Sequence, residues 1–210
     1  MKDLLMVEPL TKVTDFFLYD DEFLNLEAIQ AIQDEIIYKQ PFHVNPFEWK
    51  EKPKDPHHIF GDMFEDFPFL TSGSNAIEPE GPIFEIGKYI LHQLSIKNSL
   101  HPMSIFRAKS NLTTITKETK ASWPHIDTQE DHLVFIYYVN DSDGDTVIYD
   151  QKYTGNEYDQ SELTVFKKIT PKAGSAVIFD GSRYHTNYSN HKNNFRFIIN
   201  MNLRILGEEQ

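Results

Sequence analysis

His125 and Asp127 stand two residues apart in the segment Trp123-Pro124-His125-Ile126-Asp127. In an extended backbone the side-chain period of two turns both to one face, where together they can chelate a metal ion. Alone, such a pair equally suits an ordinary surface. It gains weight from Gly181-Ser182-Arg183-Tyr184-His185, in which His185 follows a turn at the end of a strand-like run. A barrel that returns His185 to the first pair would set two imidazoles and one carboxylate on one face of a metal. Three such ligands leave half of an octahedral iron(II) open to further ligands, and a tetrahedral zinc site is the nearest rival.

Eleven residues after His185, Arg196 heads a run whose alternation is unusual. Phe197, Ile199, Met201 and Leu203 are apolar, whereas the even positions carry Arg196, Ile198, Asn200, Asn202 and Arg204. One face packs and the other is polar. A barrel interior that holds an anion has this pattern, because a buried guanidinium needs a negative partner. A strand with its polar face in solvent has it too.

The elements that position these residues fall into two textures. Over residues 20–39, Phe23, Leu24, Leu26, Ile29, Ile32, Ile36 and Ile37 recur at helical spacing, with Asp20 or Asp21 as the cap. A second helix is expected over residues 82–96, opened by Gly81 and Pro82. Between them, residues 41–70 are irregular and rich in Pro and Phe, either covering a barrel mouth or joining the core. After Leu100, six runs rich in β-branched and aromatic residues predict strands over 103–109, 133–139, 146–149, 163–169, 175–179 and 195–203. Helices followed by strands predict an α+β, mainly β fold: an antiparallel jelly-roll core supported by N-terminal helices.

Composition narrows the field. The chain has 210 residues, 40% of them hydrophobic, which suits one domain, with residues 1–100 as support and 101–206 as core. Twenty basic residues against 32 acidic ones give a net charge of −12, which repels nucleic-acid backbones. With no Cys, disulfides and thiolate chemistry are excluded, and any metal rests on His, Asp and Glu. No apolar run approaches a membrane span, and the N-terminal MKDLLMVEPL does not resemble a signal peptide, so a cytoplasmic setting is expected. No serine-hydrolase elbow, Walker loop or dinucleotide fingerprint is present.

The order HID, then VFIYYVNDSDGDTVIYD, then TPKAGSAVIFDGSRYHTNYSNHKNNFRFIINMNL resembles the catalytic core of Fe(II)- and 2-oxoglutarate-dependent dioxygenases of the prolyl 4-hydroxylase type. The match spans about residues 103–205 and is closest to short forms carried by bacteria and their phages. It implies a double-stranded β-helix of the cupin-like kind. It also implies that His125, Asp127 and His185 bind iron, that Arg196 pairs with the distal carboxylate of 2-oxoglutarate, and that Tyr138 hydrogen-bonds that carboxylate. The loop from His185 to Arg196 is slightly longer than in the animal oxygen-sensing relatives, which leaves Arg204 as the fallback. Asn200 and Asn202, on the face of Arg196, either line the pocket or are ordinary interior polar residues.

The implied reaction uses Fe(II), 2-oxoglutarate and O2, admits ascorbate as a reductant, and hydroxylates an unactivated C–H with release of succinate and CO2. A prolyl residue in a peptide or protein is the first expectation for the substrate, and a free amino acid or small metabolite the second. A barrel that binds metal without turnover is the reading from a different class. The oligomeric state is not legible in the sequence.

Other motifs carry less. Asp141-Ser142-Asp143-Gly144-Asp145 has the acids of a calcium loop, but Thr146 and Lys152 occupy the positions needing Gly and Glu, so a hairpin turn is expected. Residues 150–162 read as a long loop, solvated or acting as a lid. His57, His58 and His132 lack a suitably spaced acid, and Arg183 shares the parity of His185.

Overall fold

The computed structural model describes residues 14–42, 69–74, 81–119, 121–155 and 162–206. In chain order the elements are β1 (Phe17–Asp20), α1 (Leu26–Tyr38), β2 (Phe69–Ser74), α2 (Pro82–Asn98), β3 (Met103–Thr114), β4 (Leu133–Tyr138), β5 (Thr146–Lys152), β6 (Val165–Ile169), β7 (Ala176–Asp180), β8 (Arg183–Asn187) and β9 (Phe195–Ile205). They form a six-stranded sheet in the order β1-β7-β4-β9-β3-β2 and a three-stranded sheet in the order β6-β5-β8. Every pairing is antiparallel. The expected mainly β class with antiparallel sheets and two supporting helices is the observed one.

Alternation along β4 and β9 assigns the two faces of the large sheet. Phe135, Tyr137, Phe197, Ile199, Met201 and Leu203 pack with Ile36, Ile90 and Leu94 of the helices. Val134, Ile136, Tyr138 and Ile198 face the other way and pack with Ile148 and Ile169 of the small sheet. Each fully buried aliphatic side chain contributes about 1.5 to 3 kcal/mol, so these two layers supply most of the driving force. Helix α2 lies close on β9: a Cβ at Gly87 would stand 2.5 Å from Met201 Sδ, so the missing side chain permits the contact.

Two local expectations are corrected. The cap of α1 is Asn25, whose side chain accepts from Ala28 N at 2.8 Å, rather than Asp20 or Asp21. Asp20 instead ends β1 and accepts from Lys97 Nζ and Asn98 Nδ2, each at 2.8 Å. Strand β5 runs to Lys152, so residues 150–152 belong to the sheet rather than to the expected loop. The first hundred residues also add β1 and β2 to the two edges of the large sheet. The aromatic and Pro-rich segment lies largely outside the described residues, as do His57 and His58.

Candidate active site

The small sheet continues past β8 through two isolated bridges, Ala121 with Tyr188 and His125 with His185. His125 and His185 exchange both backbone hydrogen bonds at 2.9 Å and so stand directly opposite each other. Residues opposed in an antiparallel pair share a face, and the ring centroids lie 4.6 Å apart. Asp127, two residues beyond His125, joins that face. Its Oδ1 lies 3.9 Å from His125 Nε2 and 4.0 Å from His185 Nε2. The three side chains expected from the sequence are thus brought together, with one ligand atom from each within 4.8 Å of the others.

Each imidazole is oriented from behind. His125 Nδ1 lies 3.0 Å from Trp123 O and His185 Nδ1 lies 3.3 Å from Arg183 O. A carbonyl only accepts, so Nδ1 carries the proton and the Nε2 lone pair faces Asp127. Burial pushes the His185 imidazole down to about 4 and lowers His125 in the same direction. Burial works against ionisation of Asp127, but nearby positive charge, that of the two imidazoles once they are protonated and of Arg107 and Lys109 throughout, overcomes it and holds its carboxyl well below the usual carboxylate range. Two neutral imidazoles and an ionised carboxylate are the protonation states that a divalent cation requires.

A small cavity begins at these three residues and is also lined by Lys109, Asn111, Thr146, Arg196 and Asn200. Arg196 reaches across the interior from β9 to β5, where Nη2 donates to Thr146 Oγ1 at 2.9 Å. Among the described residues no carboxylate lies within ion-pair distance of it, and its Nε has no hydrogen-bond partner. Burial lowers its pKa, opposed by Tyr138 and Asp145, yet a guanidinium stays charged. Four of the eight unsatisfied buried side-chain atoms among the described residues, on Asn111, Asn187, Arg196 and Asn200, belong to residues lining this cavity. Buried polar atoms are normally paired, so such a concentration points to a polar ligand, and the charged Arg196 among them asks for an anionic group on it.

Of the remaining expected residues, Asn200 lines the cavity, whereas Tyr138, Arg204 and Arg183 do not. Tyr138 is fully buried, its ring 6.0 Å from the Arg196 guanidinium, and its hydroxyl lies near Thr146 without a hydrogen-bond partner. It is not among the residues lining the cavity. Burial raises its phenol to about 12. Asn200 lines the cavity, and its Nδ2 lies 3.4 Å from Asp127 Oδ2. Arg204 is half exposed and pairs with Glu130, away from the cavity. Arg183 does not face the site either: its guanidinium donates to Tyr149 O, Asp150 O and Asp15 Oδ1 and lies over the Phe166 ring.

Sequence reasoning passed over Lys109, Asn111 and Thr146. The first two share one face of β3 with Arg107 and Thr113, an alternation that matches β9 and was open to the same reading.

No protein-family model and no curated protein sequence matches the chain. Solved structures do. An oxidoreductase of the 2OG-Fe(II) oxygenase family from Burkholderia pseudomallei aligns with a TM-score of 0.53 and 13% identity, covering 90% of this chain and 83% of that one. The fold is that of the 2OG-Fe(II) oxygenases. A prolyl hydroxylase from Trichoplax adhaerens, in complex with a hypoxia inducible factor oxygen degradation domain peptide fragment, gives 0.59 at 13% identity, covering 90% and 84%. HygX from Streptomyces hygroscopicus, with nickel, 2-oxoglutarate and hygromycin B bound, gives 0.55 at 8% identity, covering 92% and 84%. At these identities the likeness to 2OG-Fe(II) oxygenases is one of fold.

Proposed function

We propose that the chain is an Fe(II)- and 2-oxoglutarate-dependent oxygenase. The observation that carries this reading is the pairing, across one cavity, of an open His125, Asp127, His185 triad with the buried Arg196, which lacks an anion. A zinc hydrolase would use the triad but leaves the guanidinium unexplained. A 2-oxo diacid uses both ends, one carboxylate on the guanidinium and the other with the keto oxygen on the metal.

In this reading His125, Asp127 and His185 hold Fe(II). Bound together, the metal and 2-oxoglutarate supply the oxidative step, in which one oxygen atom of O2 enters succinate as CO2 leaves and the other enters the substrate C–H as hydroxyl. The carbonyls of Trp123 and Arg183 fix the Nδ1–H tautomer and turn both imidazoles toward the centre, and burial keeps them neutral. Thr146 holds one edge of Arg196 and leaves the rest of the fork for the distal carboxylate. Tyr138 stands behind that end with its ring 6.0 Å from the guanidinium, and Asn200 lines the pocket beside Asp127. Ile136 and Ile198, both buried, keep the walls between the two ends apolar and limit water.

For the substrate we propose a prolyl residue in a peptide or protein, supported by the peptide held by the Trichoplax neighbour. A small metabolite is the second reading, supported by the hygromycin B held by HygX. Among the described residues no helix is long and apolar enough to cross a membrane, and a cytoplasmic setting belongs to the same proposal.

Anaerobic titration with Fe(II) and 2-oxoglutarate tests the chemistry through the weak visible charge-transfer band of a chelated 2-oxo acid. The band should form in the unaltered chain and vanish in His185→Ala. Iron binding with no band would move the assignment to a metal-binding barrel of another function.

A further inference from the structure

Strand β3 changes faces partway along its length. Ser104 stands opposite Arg204 and Ile105 opposite Leu203, yet from Arg107 onward the register is displaced by one, with Arg107 opposite Asn202 and Lys109 opposite Asn200. Phe106 is the additional residue of a β-bulge. Were the register of Ser104 and Ile105 continued, Ala108 and Ser110 would face the interior, and Arg107, Lys109 and Asn111 would face the helices. The bulge thus delivers Arg107 to the interior beside Asn202.

There the two side chains form a relay to the metal-binding carboxylate. Arg107 Nη1 lies 3.4 Å from Asn202 Oδ1, and Asn202 Nδ2 donates to Asp127 Oδ2 at 2.8 Å. A guanidinium has donors only, so the amide must turn its oxygen toward Arg107 and its NH2 toward Asp127. Asp127 is divided accordingly. Its Oδ2 is engaged by Asn202, and its Oδ1 is the atom aimed at both histidines. Arg107 itself stands 4.0 Å from Oδ1, beyond hydrogen-bond reach, and adds only charge there.

Resting on the metal reading above, we infer that Asn202 is a positioning residue for the metal centre. It fixes the Asp127 carboxylate so that a single oxygen is presented to the ion, and Arg107 sets the direction of the amide. Asn202 is 1% exposed, and the other amide near the same oxygen, Asn200 Nδ2, stands at a longer 3.4 Å. Outer partners of metal ligands typically account for about ten- to a hundred-fold in metal affinity.

The test uses Co(II), which tolerates dioxygen and reports through its visible bands, on the full chain carrying Asn202→Leu or Asn202→Ala. The first preserves volume without an amide, and the second removes both. Expected is a Co(II) dissociation constant about ten- to a hundred-fold higher in both. The 2-oxoglutarate dissociation constant at saturating Co(II) should stay within about three-fold, because Arg196 is untouched. Should either variant fail to fold, Asn202→Ser, polar but too short to reach Asp127, carries the same expectation. Folded variants with unchanged Co(II) affinity overturn the inference, whatever their thermal stability. Co(II) binding that is lost in His185→Ala but kept in the Asn202 variants overturns this inference alone. No binding by the unaltered chain overturns the metal reading and this inference with it.

Discussion

Thr146 Oγ1 accepts the hydrogen bond that Arg196 Nη2 donates at 2.9 Å, and it does so from the opposite sheet. That contact orients the guanidinium without neutralising it. Arg196→Ala should therefore raise the 2-oxoglutarate concentration needed for half-saturation by about ten- to a hundred-fold, the worth of charge-assisted hydrogen bonds of about 1.5 to 3 kcal/mol. Thr146→Val should raise it by only a few-fold. Arg204→Ala should leave it within about two-fold, since that side chain pairs with Glu130 away from the cavity. Titrating 2-oxoglutarate at saturating Fe(II) checks all three, and an Arg204 effect larger than the Arg196 effect would place the anion elsewhere.

His125→Ala and Asp127→Ala should each abolish iron-dependent formation of succinate from 2-oxoglutarate while the far-UV circular dichroism stays native. Neither side chain bridges elements through the hydrophobic layers, so its loss should spare the fold. Full succinate production in both variants would remove the triad from the chemistry.

Gly144 lies against the Arg196 pocket. A Cβ there would stand 2.8 Å from Tyr188 O and 2.9 Å from Arg196 Cδ, and the first of these is backbone. Gly144→Ala should cost about 1 to 3 kcal/mol of stability by overpacking and should also weaken 2-oxoglutarate binding. Urea unfolding together with the 2-oxoglutarate titration would show both, and an alanine accepted at no cost to either would mean that the loop yields freely.

Acid should destabilise the metal-free chain. An unfolded imidazole takes its proton near 6.5, whereas His185 in the folded chain resists until about 4. Between those values the unfolded state binds more protons, so the contribution of His185 is complete above about pH 6.5 and is lost as pH falls toward 4. On this one group the loss is on the order of 2 to 3 kcal/mol, and the lowered His125 acts in the same sense. Urea midpoints of chelator-treated protein at pH 7.5, 5.5 and 4.5 should fall in that order, less steeply in His185→Asn. A midpoint that rises on acidification would contradict the neutral state of the pair.

Much of this site was legible because it depends on parity within single strands. The even positions of β9 carry Arg196, Asn200 and Asn202 inward, and the spacing of His125 and Asp127 sets both on one face. What escaped depends on pairings distant in sequence. Arg183 has the parity of His185 but sits opposite Lys152, beyond an irregularity in the β5–β8 register, and Asp15 of the N-terminal region claims it. The bulge at Phe106 leaves no local mark, since only β9 defines which residue is additional. β1 is four residues long and lies at a sheet edge, too short for alternation to declare itself. At α1 the cap is Asn25, directly before the helix, whereas Asp20 is held by Lys97 and Asn98, contacts distant in sequence.

Among the described residues the two sheets share no backbone ladder, and residues of both line the cavity. His185 belongs to the small sheet, whereas Arg196, and the Asn202 that grips Asp127, belong to the large one. A ligand seated there acts as a rivet through the fold in the direction where only side chains hold it. At a hundred-fold excess over its dissociation constant, such a ligand adds about 2.7 kcal/mol to the folded state. Loading the site should then slow amide exchange in β8 and β9 together.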